Sequence, residues 1–355
     1  MVAYGYAQEH GDTAMMIACV TGINPRCGSR EPKEYTRMAT ISLGKRAETA
    51  TTRSSAQRLL GRDWRMAWLF LLPLTVVLVG LIAYPFVAAI VLSLQHKVVG
   101  GPATWVGLNN YRDLLVGQEY SGVFRKSVWV SFVYTAVAIC VKITLGMCMA
   151  LLLNEKFRGR MAMRAILFLP WAMPTLITAL TWRWIYDGTP SGLLNIIRIN
   201  YFQKDTLTQF LANPRLALWS VIAVVVWQGT PFYTMMLLAG MQAIPAEQYE
   251  AAAMDGANMF QRFVSITLPS LKPVIIITCL LSTIWTANSI NFVFILTRGG
   301  PANATMTFPM LAYEIGIDGA RQLGTAAAVS VMFFPLFIVA IFFLTKRMLS
   351  SEGRA

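Results

Sequence analysis

Six stretches of the chain, residues 67–94, 128–153, 162–185, 217–241, 274–296 and 326–344, are almost continuously apolar. A hydrocarbon core about 30 Å thick is crossed by roughly 20 such residues in an α-helix, and inside it every backbone N–H and C=O must be satisfied by the segment itself. The pattern predicts an all-α integral membrane protein of six spans. Composition agrees, since only 13% of residues are charged, against roughly 25% in a soluble domain. Pro73, Pro85, Pro170, Pro174, Pro231 and Pro335 fall within these stretches. They are expected to kink packed helices rather than to end them, because neighbouring helices can satisfy the freed carbonyls. The third stretch, with Leu-Pro-Trp-Ala-Met-Pro near its start, is the least regular.

Six spans leave both ends on one side. Arg58, Arg62 and Arg65 lead into the first span, Lys156, Arg158, Arg160 and Arg164 lie between the second and third, and Lys346 and Arg347 follow the last. By the positive-inside rule these segments are cytoplasmic. The opposite loops also hold basic residues, among them Arg112, Lys126, Arg198 and Arg215, but they are longer and carry Asp113, Glu119, Asp187 and Glu314. The net charge of +13 thus gathers beside membrane lipid headgroups. No basic-aromatic groove of a nucleic-acid binder is present.

The same topology puts residues 242–273 inside the cell. This segment reads as a short helix, a break and a second segment between two apolar spans. Pro245 fits the first helical position, Glu247 and Glu250 suit the positive end of the helix dipole, and Ala251, Ala252 and Ala253 form helix strongly. Asp255 and Gly256 end it, because glycine takes the left-handed conformation of a helix C-terminus. Pro269 and Pro273 are expected to punctuate the return into the next span. The result is a short helix with a small-residue face, suited to docking in a groove.

Residues 1–66 mix Gly, Thr, Ser, Arg and Glu without periodicity and lack the apolar centre of a signal peptide, so they are expected to form a disordered cytoplasmic tail. Met38 reads as an alternative start, with the preceding residues a mis-called or added extension; residues 346–355 are expected to form a second cytoplasmic tail. Cys19, Cys27, Cys140, Cys148 and Cys279 show no CxxC or Cys/His spacing, and with only His10 and His96 in the chain no histidine metal centre is expected. There is no GxSxG, and the nearest approach to a phosphate loop, residues 22–28, has the wrong spacing and no Lys-Ser/Thr pair. The chain is therefore not expected to hydrolyse ATP or to hold a cofactor itself.

The pattern Glu-Ala-Ala, Asp255-Gly256-Ala257, Phe263, Ile266, Leu268-Pro269 and Pro273 resembles the signature loop of permease subunits of binding-protein-dependent ABC importers. Trp105-Val106-Gly107-Leu108-Asn109-Asn110-Tyr111, Leu296-Thr297-Arg298-Gly299-Gly300-Pro301 and Leu323-Gly324-Thr325-Ala326-Ala327 are similar to the carbohydrate-uptake branch, its maltose-type and glycerol-phosphate-type first permeases. The resemblance covers all six spans and not the tail before them.

It implies a type I importer permease bundle in the bacterial inner membrane. Its partners would be a second homologous permease, a cytoplasmic ABC ATPase dimer that binds ATP and Mg, and an extracytoplasmic solute-binding protein that delivers a carbohydrate. Glu250, Ala251, Ala252, Asp255 and Gly256 would form the coupling helix, with Glu250 the polar anchor to the ATPase and Gly256 the residue that permits chain reversal. Substrate contacts carried over by the resemblance are Asn288 and Asn291, three apart and so expected on one helix face, and Gln228, Gly229 and Phe232 in Trp-Gln-Gly-Thr-Pro-Phe. The sequence departs from the maltose-type pattern at Gln228, apolar there, and at Phe232, a tyrosine there, which leaves the sugar open.

Other readings compete with these. Asn288, Asn291 and Gln228 could equally serve as interhelical hydrogen-bond glue. Trp171, Trp182, Trp184 and Trp285 read first as packing or interface anchors. Lys142, near the middle of the second span, needs a cavity or a partner, because an uncompensated charge there costs several kcal/mol. An ion-coupled secondary transporter is the alternative function, although the matching broken helices of an inverted repeat are not visible.

Overall fold

A computed structural model of the chain describes residues 64–203 and 206–352. The expected start at Met38, Cys19, Cys27 and nearly all of the N-terminal tail lie outside the described residues. The chain divides into two units, Met1–Ala83 and Tyr84–Ala355.

In the first unit, helix α1 (Trp64–Leu78) passes into a π-helical turn, Val79–Ala83. It begins three residues before the expected span and takes Pro73 within its length. Apart from Thr75, the described side chains of this unit are apolar and exposed, Phe70 at 77% and Leu81 of the π-helical turn at 73%, as suits a helix surrounded by lipid.

The second unit opens with α2 (Tyr84–Ser93) and a small antiparallel hairpin, β1 (Gln95–His96) and β2 (Thr104–Trp105). It continues through α3 (Asn109–Leu115), α4 (Ser121–Asn154), α5 (Arg160–Ala172), α6 (Thr175–Ile185) and α7 (Leu193–Phe202). Next come α8 (Ala217–Gln242), α9 (Ala246–Met254), α10 (Met259–Arg262), α11 (Leu268–Asn288) and α12 (Asn291–Leu296). The unit closes with α13 (Phe308–Tyr313) and α14 (Leu323–Glu352).

Among the described residues, four helical stretches are long and apolar enough to cross a bilayer: Trp68–Ser93, Ser121–Asn154, Ala217–Gln242 and Met259–Leu296. The third predicted stretch differs, because α5 and α6 meet at a bend of 92° and count as a fifth span only if taken together. The cause is local. Pro174 lacks an N–H and drives the preceding Met173 into extended backbone, with ψ 136°. Here proline ends a helix, contrary to the expectation of a kink. The apolar part of α14 is shorter, Leu323–Pro335, and the helix continues through Lys346 and Arg347 into the expected terminal tail.

The core of the second unit is the contact of α4 with α8. Gly146 makes it possible: a Cβ there would lie 2.6 Å from Cβ of Tyr233, so only glycine lets the two backbones approach this closely. At Gly240 of α8 the neighbour across the contact with α11 is a side chain, since a Cβ would meet Cδ2 of Leu271 at 2.6 Å.

Two of the sequence motifs form a clasp. Asn110, 4% exposed, donates to the carbonyls of Ser93 at 2.7 Å and Gln95 at 2.9 Å, and accepts from Thr325 Oγ1 at 3.4 Å. Gly324 sits where a Cβ would fall 1.9 Å from the Gln95 carbonyl oxygen. The Leu-Asn-Asn-Tyr and Leu-Gly-Thr-Ala-Ala segments thus join α3 and the α2 terminus to the start of α14. The Leu-Thr-Arg-Gly-Gly-Pro segment is also tied down, by Thr297 Oγ1 to Thr305 Oγ1 at 2.7 Å and by Thr305 Oγ1 donating to the Gly300 carbonyl at 2.8 Å.

Candidate functional site

Two features stand out from the packed bundle, an exposed loop helix and a polar cavity. The loop helix is α9. Pro245 precedes its first turn as the N-cap, with ψ 134°, rather than occupying the first helical position. At the other end, Gly256 has φ +79°. Its N–H donates to the Ala253 carbonyl at 3.1 Å, and that of Ala257 to the Ala252 carbonyl at 2.9 Å. This pair of bonds is the Schellman arrangement, which satisfies carbonyls the helix would otherwise leave bare.

The second segment is α10, opened by a capping box: Asn258 Oδ1 accepts from the Gln261 N–H at 2.8 Å, and Gln261 Oε1 from the Asn258 N–H at 2.7 Å. Pro269 and Pro273 do not interrupt the return; they lie within α11.

Glu250, Ala251, Asp255 and Gly256 are exposed and Ala252 is half-buried. A hydrogen bond between Tyr249 OH and Thr267 Oγ1 at 2.9 Å ties the loop helix to the bundle. Sequence reasoning passed over three neighbours, Met254, Met259 and Phe260, exposed at 88%, 69% and 73%. Met259 and Phe260 open the apolar stretch Met259–Leu296, and exposed apolar side chains beside a polar loop suit a contact surface. Their apolar character within a polar loop was the available signal.

The cavity, of about 280 Å³, lies where α4, α8, α11 and the α5–α6 bend meet. Lys142, Gln228, Gly229 and Phe232 line it, with Tyr134, Trp171, Ser282, Trp285 and Thr286. Lys142 is 4% exposed and its Nζ donates to Thr286 Oγ1 at 3.0 Å. A Cβ on Gly229 would lie 2.6 Å from Lys142 Cε and 3.0 Å from Nζ, so the glycine makes the room that the ammonium occupies.

Gln228 Nε2 donates to the Met173 carbonyl at 3.2 Å. That carbonyl ends α5 at the bend, so the bond fits the glue reading of Gln228 and explains how a 92° break is accommodated beside an apolar bundle. Phe232 stacks on Trp171 with ring centroids 6.3 Å apart and tilts against Trp285 at 5.3 Å. Two tryptophans read first as anchors are therefore cavity walls. The hydroxyl of Tyr134 is buried without a hydrogen-bond partner.

Asn288 and Asn291 stand apart from these residues. They do not share a continuous helix face, because α11 ends at Asn288 and Ser289 turns the chain out of the helix with ψ 120°. Both are exposed, and Asn288 Nδ2 donates to the Ile284 carbonyl at 2.9 Å.

Residues 142–346 match the family described as "Binding-protein-dependent transport system inner membrane component". The chain is 37% identical over 281 residues, 78% of its length and 91% of the relative's, to the trehalose/maltose transport system permease protein MalF of Thermococcus litoralis. It is 27% identical, over 86% of its length and 95% of the relative's, to the trehalose transport system permease protein SugA of Mycobacterium tuberculosis. Its fold is shared with a chain from the crystal structure of a bacterial ABC transporter involved in the import of the acidic polysaccharide alginate. That match has a TM-score of 0.69 at 19% identity and covers 84% of this chain and 99% of the other. The helical bundle, the capped loop helix and these matches together define a membrane permease. The chain belongs to the inner-membrane component family of binding-protein-dependent transport systems.

Proposed function

We propose that this chain is one of two permease subunits of an ATP-driven importer that moves a saccharide across the bacterial inner membrane. In this reading the six apolar stretches are six spans, both termini are cytoplasmic, and the loop 242–273 faces a separate ATPase dimer that binds ATP and Mg. An extracytoplasmic solute-binding protein delivers the saccharide. The permease relatives named for trehalose and maltose transport support the cargo class.

The observation that carries the reading is the exposed, doubly capped α9–α10 loop, which carries Met254, Met259 and Phe260 as exposed apolar side chains. Such a surface suits a cleft in a partner, with Glu250 as its polar rim. The aromatic walls and hydroxyl donors of the cavity suit sugar faces and sugar hydroxyls. The exposed Asn288 and Asn291 would meet the passage shared with the second permease. The ion-coupled alternative finds no support in the family or the relatives.

Co-purification from the native membrane tests the proposal. The wild-type chain is expected to bring an ATPase with it, and Met254→Asp with Phe260→Asp to lose that ATPase while staying at normal abundance in the membrane. Undiminished ATPase recovery with the double variant would refute the docking role of the loop.

A further inference from the structure

We infer that Lys142 is the recognition cation of the cavity, and that the saccharide it meets carries an oxyanion, a carboxylate, sulfonate or phosphate. This rests on the importer reading above and narrows its cargo. Lys142 is almost wholly buried in the middle of α4, and its side chain lines the cavity. Among the described residues, no carboxylate lies within ion-pair distance, and the one ion pair found joins Arg298 to Asp318. Thr286 Oγ1 at 3.0 Å is its hydrogen-bond acceptor.

An ammonium has three N–H donors, so two are left for whatever fills the cavity. A charge held this way, 4% exposed and without an anion among the described residues, is costly. It is kept nonetheless, and at the expense of a helix-interior glycine, since any Cβ at Gly229 would collide with it. Both features follow if the missing anion arrives with the cargo.

The rest of the cavity points the same way. Among the described residues the buried Tyr134 hydroxyl has no partner, and Ser282, whose hydroxyl lies against Tyr233, lines the same cavity. The cavity that holds the Lys142 ammonium thus also carries hydroxyls on its walls, while the rings of Trp171, Phe232 and Trp285 offer faces to a sugar. The volume of about 280 Å³ is near the lower end of small-molecule pockets, roughly 300–1,000 Å³. It suits one ring with its charged substituent.

The test uses the importer purified from its native membrane, with its own ATPase and binding protein, in lipid nanodiscs. ATP hydrolysis is followed with matched pairs: cellobiose against its uronate-terminated counterpart, and glucosyl glycerol against its 6-sulfonate. The wild-type complex is expected to respond to an anionic member. Lys142→Met is expected to raise the half-stimulating concentration of that member at least about tenfold, the scale of a lost charge-assisted bond. Any response to neutral members should weaken far less than the response to the anionic one, and Lys142→Arg should recover part of the loss.

Stimulation by a neutral saccharide alone, unaltered in Lys142→Met, would overturn the inference and leave the saccharide reading intact. So would an anionic response that Lys142→Met does not weaken. Loss of the second permease from the Lys142→Met complex would also overturn it, by identifying a carboxylate of that subunit as the partner of Lys142. Silence of the whole panel, with stimulation by a non-saccharide, would overturn the saccharide reading itself.

Discussion

Replacing Gly256 should separate the loop from the fold. Its φ of +79° lies in the left-handed region, and nothing within 4 Å would obstruct an added Cβ. The cost of a side chain is therefore conformational rather than steric contact, about 1–2 kcal/mol for an ordinary L-residue and at the upper end for a β-branched one. At about 1.4 kcal/mol per tenfold change, 2 kcal/mol lowers the population of the capped turn roughly 30-fold. The two bonds from Gly256 and Ala257 back to Ala253 and Ala252 would be lost together.

A whole domain is stabilised by roughly 5–15 kcal/mol, so Gly256→Val should still insert and fold. Saccharide-stimulated ATP hydrolysis and uptake in proteoliposomes should fall about tenfold or more at equal membrane abundance. Gly256→Asn is the control, because asparagine visits the left-handed region with little penalty, and it should retain most of the activity. Normal uptake by Gly256→Val, or equal failure of the asparagine variant, would refute the conformational argument.

Gly229→Ala adds a methyl that meets the flexible end of Lys142 rather than backbone, and it removes a helix-interior glycine worth about 0.5–1 kcal/mol. Thermal stability of the complex should therefore hold or rise while the substrate concentration for half-maximal ATPase stimulation increases; a fall in stability with unchanged stimulation would contradict this. Asn110→Leu strips the donors from the Ser93 and Gln95 carbonyls, at about 1–3 kcal/mol for each buried group left unpaired. Its melting temperature should drop clearly, with transport per folded complex preserved, and an unchanged melting temperature would show the clasp to be dispensable.

What could be read from the sequence was whatever depended on local rules. The fourth apolar stretch, 217–241, became α8 almost residue for residue because lipid leaves a backbone no other way to pair its polar groups. The end of α9 was equally legible, since Asp255-Gly256 specifies its cap within a few residues. The bend at Met173 was harder. Pro174 announced a disturbance, but not that the bare Met173 carbonyl left by a full break would be met by Gln228, 55 positions away. The separation of Asn288 from Asn291 turns on Ser289 leaving the helix without any glycine or proline to signal it. Phe232 was legible as a site candidate by resemblance, whereas Trp171 and Trp285 were not, because bulky aromatics at helical spacing look the same whether they face lipid or line a cavity.

The loop and the cavity are joined by one helix. Tyr249 of α9 holds Thr267, immediately before α11, while Ser282, Trp285 and Thr286 near the other end of α11 form one wall of the cavity. The opposite wall, Lys142 on α4 and Gly229 on α8, belongs to a pair of helices locked by the close approach at Gly146. Between loop and cavity, α11 rests on α8 where Leu271 meets Gly240. At 1.5 Å rise per residue, that contact lies about 6 Å along the axis from Thr267 and about 22 Å from Thr286. A helix pivoting there has a short arm at the loop and an arm nearly four times longer at the cavity. A shift of about 1 Å at Tyr249 would then displace the Thr286 wall by several ångströms, more than the range over which the 3.0 Å bond from Lys142 Nζ to Thr286 Oγ1 survives. If the loop docks at α9 as proposed, its movement would reach the bond between Lys142 Nζ and Thr286 Oγ1 through α11.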